Sequence, residues 1–143
     1  MTARLGTLQR PGGTLAYELV GPLDGPLVVA SPGLGDLRAT FRFLAPALAE
    51  HGWRVASVDL RGHGGSSTGW PDYGVAAVAD DLVALAEELG GPAVLVGNSY
   101  SGGAAVVAAA RRPELVRGLV LVGAFVRNVP QSLLGRFTAW LAS

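Results

Sequence analysis

Two spacings of apolar residues alternate along this chain. Leu27-Val-Val-Ala30 is a short unbroken apolar run, which predicts a strand buried on both faces of a parallel sheet. Trp53–Leu60, Ala93–Gly97 and Arg117–Ala124 read the same way, the last as another buried strand. Between these runs the apolar residues recur at three and four. In Thr40–Glu50 they are Phe41, Leu44, Ala45, Leu48 and Ala49, closed by His51-Gly52; in Tyr73–Gly90 they are Val75, Val78, Leu82, Leu85, Ala86 and Leu89. Both segments predict amphipathic helices that cover a sheet. A third helix is expected over Ser99–Arg112, where Ala104, Ala105, Ala108 and Ala109 permit close approach and Pro113 ends the run. Upstream, Thr2–Arg10 and Thr14–Val20 flank Pro11-Gly12-Gly13 and predict a hairpin. Alternation of strand and helix predicts an α/β fold with a doubly wound, mostly parallel sheet. In Gln131–Ser143 one stripe, Leu133, Leu134, Phe137, Trp140 and Leu141, predicts a helix that lies on a core, a lid or a partner groove.

Composition narrows the picture. The chain has 143 residues, half of them hydrophobic and 15% charged, enough for one domain with a sizeable core. Its formal net charge is zero and its basic residues, all arginine, are scattered, so neither a nucleic-acid nor an anionic-membrane surface is expected. There is no cysteine, which excludes disulfides and thiolate metal sites. His51 and His63 do not have a metal-binding spacing, and no metal or cofactor is expected. Met1–Gly13 lacks the apolar core of a signal peptide, which points to a cytoplasmic protein.

The chemistry concentrates where an apolar run meets a helix. Gly97-Asn98-Ser99-Tyr100-Ser101 follows the pattern G-x-S-x-G with its last glycine relaxed to serine. A sharp strand-to-helix turn forces a strained backbone at its apex, and small flanking residues let strand and helix approach. The apex Ser99 is lifted clear of the sheet at a helix N-terminus, where free amides favour developing negative charge. Other readings fit less well. As a dinucleotide fingerprint, Gly97–Gly102 lacks the middle glycine that lets the pyrophosphate approach. The next strand ends in Ala124 and Phe125, where a ribose-binding acid would stand. As a membrane span, Ala93–Ala110 is interrupted by Asn98, Ser99, Tyr100 and Ser101. A turn serine with only a structural role remains open.

Pro32-Gly-Leu-Gly35, Asp59-Leu-Arg-Gly-His-Gly-Gly-Ser66 and Gly97–Ser101 stand in the order found in α/β-hydrolases, which the chain resembles over essentially its whole length. The second motif looks like the family's D-x-R-G-H-G-x-S loop. The resemblance implies that Ser99 is the acylating nucleophile and that the backbone N–H groups of Leu34 and Tyr100 stabilise the oxyanion. It implies a mainly structural loop at Asp59 and His63, because the family's order is serine, then acid, then histidine. His63 therefore reads as a loop-organising residue. No histidine follows Ser99, and the only later acid is Glu114. Without a general base a serine hydroxyl is a poor nucleophile, so the 143 residues alone are expected to be nearly inactive.

The same resemblance makes residues 1–124 a partial hydrolase core, ending after about the sixth strand, and residues 125–143 the start of a cap. It implies an esterase-like serine hydrolase acting without cofactor on a small ester-like substrate. Haloperoxidases and acyltransferases share the motifs, and a non-catalytic ligand- or protein-binding domain of the same fold is the alternative. Val120–Val126, as an uncharged sheet edge, is expected to promote self-association.

Overall fold

The computed structural model describes residues 3–126. They form one six-stranded sheet with strands β1 (Arg4–Arg10), β2 (Gly13–Val20), β3 (Leu27–Ser31), β4 (Arg54–Val58), β5 (Ala93–Asn98) and β6 (Val116–Val122). Their spatial order is β1-β2-β4-β3-β5-β6. The β1–β2 hairpin joins β4 in antiparallel fashion, whereas β4, β3, β5 and β6 run parallel. Three helices, α1 (Leu44–Glu50), α2 (Val75–Glu88) and α3 (Tyr100–Arg111), connect the strands.

The period-2 geometry of the strands divides the core. Val28, Ala30, Val55 and Val96 face one side, where they pack with Phe41 and with Ala45 of α1. Leu27, Val29, Ala56, Val58 and Leu95 face the other, against Val78, Leu82 and Leu85 of α2 and Ala104, Ala105 and Ala108 of α3. Helices on both faces explain why β3 is buried at every position. Fully burying a leucine such as Leu85 or Leu95 contributes about 1.5–3 kcal/mol.

Several element boundaries differ from the periodicity. The segment expected as one helix over Thr40–Glu50 is a 3-10 turn, Arg38–Phe41, followed by the shorter α1. The second helix begins at Val75 because Gly74 is extended, its N–H donating to the Asp72 carboxylate at 2.7 Å. The run Arg117–Ala124, expected to be a buried strand, is corrected most. In β6 the side chains of Leu119, Val120, Leu121 and Val122 are all exposed. Among the described residues β6 pairs only with β5, so its other edge has no strand to cover it. The apolar stripe of Gln131–Ser143 and most of the expected cap lie outside the described residues.

Candidate active site

The strand-to-helix turn is built as the small-residue pattern requires. Ser99 has φ +52° and ψ −113°, and it is the one non-glycine residue with positive φ among those described. Such a conformation costs on the order of 1–3 kcal/mol and persists only where its surroundings impose it. The surroundings are visible. The Ser99 N–H donates to the Val122 carbonyl at 2.9 Å, and the Ser99 carbonyl accepts from the Gly102 N–H at 3.1 Å, so the turn is tied to the end of β6 and to α3. A Cβ on Gly97 would lie 2.6 Å from Gly102 Cα, and one on Gly102 would lie 2.2 Å from Ala124 Cβ. Glycine is therefore the residue that fits at both positions.

Parallel pairing of β3 with β5 carries the loop after β3 to the same end of the sheet. Ser31 stands opposite Gly97, and a Cβ on Gly33 would lie 3.5 Å from Ser99 Cβ. The loop is held to the elbow by Ser101, which is completely buried. Its hydroxyl donates to the Pro32 carbonyl and accepts from Ser31 Oγ at 2.9 Å. The pattern reading missed this role, although a hydroxyl at a position where glycine is usual was the available signal. The Gly33 carbonyl accepts from the Asp36 N–H at 3.1 Å, and Gly35 has φ +82°. A positive φ at the third position is what a type II turn demands.

Asp59 and His63 brace this loop from the far side. The buried Asp59 carboxylate accepts from the Arg38 N–H at 2.7 Å and the Gly65 N–H at 2.9 Å, and pairs with the Arg38 guanidinium. His63 Nε2 accepts from the Gly35 N–H at 3.0 Å, while Nδ1 lies 2.8 Å from the Arg61 carbonyl. The loop containing them is anchored by Arg61, whose guanidinium donates to both oxygens of Asp81, at 2.5 and 2.8 Å. The same guanidinium lies 4.4 Å from the Trp70 ring centroid and donates to the Asp72 carbonyl at 2.9 Å. Hydrogen bonding to Asp81 raises the Arg61 pKa above its already high ordinary value. Asp81, buried on α2, is a site-supporting residue that no local pattern marked. Tyr100 Oη donates to the Tyr73 carbonyl at 2.5 Å, and burial raises the phenol's pKa above 10.0, with the Asp72 charge adding to the rise and Arg61 opposing it.

The predicted site residues thus divide. Ser99, Tyr100 and the loop bearing Leu34 meet at the C-terminal ends of β3 and β5. Both histidines are engaged elsewhere, His63 as described and His51 with the Ala47 carbonyl at 2.9 Å. Among the described residues no group of three or more His, Cys, Asp or Glu could hold a metal, and no helix is long and apolar enough to cross a membrane.

Comparison with known proteins adds the following. The profile of the alpha/beta hydrolase fold matches residues 26–142. The chain is 39% identical over 129 residues to the sn-1-specific diacylglycerol lipase ABHD11 of Mus musculus, covering 87% of this chain and 42% of the lipase. It is 37% identical over 113 residues to the putative carbamate hydrolase RutD of Variovorax paradoxus, covering 78% and 42% of the two. A hydrolase from Pseudomonas aeruginosa superposes with a TM-score of 0.83 at 29% identity, covering 96% of this chain and 51% of that one. The chain spans less than half the length of the curated relatives it matches.

Proposed function

The chain belongs to the alpha/beta hydrolase fold family, and on that premise we propose that it supplies the nucleophile and oxyanion site of a serine hydrolase acting on esters or related acyl bonds. One observation carries the reading: a serine held at positive φ on the N-terminus of α3, with Gly33 of the loop after β3 packed against it. Ser99 Oγ attacks the acyl carbon, and the carbonyl oxygen becomes an oxyanion. That charge is met by the N–H groups of Tyr100 and Leu34, and each preset donor of this kind contributes about 3–4 kcal/mol to the transition state. The intermediate collapses to an acyl-serine with loss of the alcohol. Water then attacks the same carbon, the Ser99 Oγ–acyl bond breaks, and the carboxylic acid leaves as the serine hydroxyl regains its proton.

The general base comes from outside these residues. Both histidines precede Ser99 in the chain, and each ring is already bonded to backbone groups. A base and acid supplied by further sequence agree with the greater length of the matched relatives. Residues 1–124 then form part of the catalytic core and 125–143 open a cap.

A fluorophosphonate probe tests the proposal on the full gene product that carries this chain. The wild type is expected to be labelled, and Ser99→Ala to lose the label and the esterase activity together. A folded wild type that stays unlabelled would support the non-catalytic binding domain instead, a reading favoured by the position of both histidines before Ser99.

A further inference from the structure

We propose that His63 is a positioning residue for the oxyanion site: its neutral ring, accepting the Gly35 N–H, holds the turn that aims the Leu34 N–H at the substrate. This rests on the serine-hydrolase reading above. The Gly33 carbonyl and the Leu34 N–H belong to one trans peptide, so they point in opposite directions. The bond from the Asp36 N–H draws that carbonyl into the turn, and the Leu34 N–H is thereby turned outward. What holds this turn in place is a bond at its central peptide, Leu34–Gly35, directly after the Leu34 N–H. Gly35 has φ +82°, and its N–H donates to His63 Nε2 at 3.0 Å, which ties the whole turn to the loop after β4.

The histidine can play this part because its other nitrogen is spoken for. Nδ1 lies 2.8 Å from the Arg61 carbonyl. A carbonyl can only accept, so Nδ1 carries the proton and Nε2 presents its lone pair. Arg61 is itself clamped by Asp81, Asp72 and Trp70, so the ring stands on a fixed support. The same support reaches the second oxyanion donor. Arg61 holds the Asp72 carbonyl, the next residue's carbonyl accepts from Tyr100 Oη, and the Tyr100 N–H is that donor. One loop thus braces both sides of the site.

The test uses the full gene product with p-nitrophenyl acetate as probe. The bound ester carries no oxyanion, which develops in the transition state and the tetrahedral intermediate, so loss of aim lowers kcat and leaves KM alone. His63→Ala is expected to lower kcat about 10- to 100-fold. That is less than the ~10²–10³ for deleting a donor outright, since water can replace the lost acceptor in part. His63→Gln keeps an acceptor at a similar reach and is expected to recover most of kcat. Nitrogen-15 NMR of the wild type is expected to show His63 protonated at Nδ1 with a bare Nε2. A His63→Gln variant as slow as His63→Ala, a loss carried in KM, or a ring protonated at Nε2 each overturns the proposal. Failure of the parent reading is seen separately, as turnover or labelling that persists in Ser99→Ala.

Discussion

At the scale of single residues, the elbow shows how a small change of side chain is put to use. Ser101 occupies a position where the pattern usually has glycine, and the buried hydroxyl links α3 to the loop after β3. An unpaired buried carbonyl at Pro32 would cost about 1–3 kcal/mol, which this bond avoids. Tyr100 links the same helix to the loop before α2. Because burial raises its phenol pKa, the folded state resists ionisation of a group that ionises freely when unfolded. Its contribution is complete below the unfolded value near 10.0 and is lost as pH rises through the higher folded value. Stability is therefore expected to fall more steeply above pH 10 in the wild type than in Tyr100→Phe. Denaturation midpoints taken on either side of pH 10 check this, and equal slopes would refute it. The motif residues themselves were readable from spacing. Their partners were not, since Asp81 and Tyr73 meet Arg61 and Tyr100 only through long-range packing.

At the scale of elements, the strand–turn–helix unit β5–α3 depends on contact between backbones. The Gly97 position faces Gly102 Cα and N and the Ser101 carbonyl, none of which can move aside as a flexible side chain could. Gly97→Ala is expected to destabilise the protein by about 1–3 kcal/mol, the usual range for overpacking. A lower urea midpoint at unchanged slope measures it. An unchanged midpoint would mean that strand and helix are not held so close. Helix positions were legible from the three-and-four spacing, because the core requires one apolar stripe per helix. Their starts were less so. Gly74 and Arg38–Phe41 are set by local turn bonds that an apolar pattern does not register.

At the scale of the whole molecule, the two sheet edges differ. One is a hairpin whose outer strand carries Arg4 and Arg10. The other, β6, presents Leu119, Val120, Leu121 and Val122, with Val120 at 48% and Val122 at 52% exposure. Apart from Arg117 near its start, β6 is uncharged, and an apolar edge of this kind pairs readily with another chain. The 143-residue chain by itself is expected to self-associate in light scattering, and Val120→Lys with Val122→Lys to shift it toward monomer. A monodisperse wild type would refute this.

The linear order of residues determined the fold class, the burial of β3, the elbow at Ser99 and the loops at Pro32 and Asp59. Each of these is a local matter of periodicity, turn chemistry or a short motif. Tertiary structure alone decided the order of the strands, the pairing of Arg61 with Asp81 and of Tyr100 with Tyr73, and the groups that the two nitrogens of His63 meet. The reason is physical. A strand's pattern states which faces are apolar but not which neighbour or helix will cover them, and a histidine's role depends on which groups its two nitrogens meet.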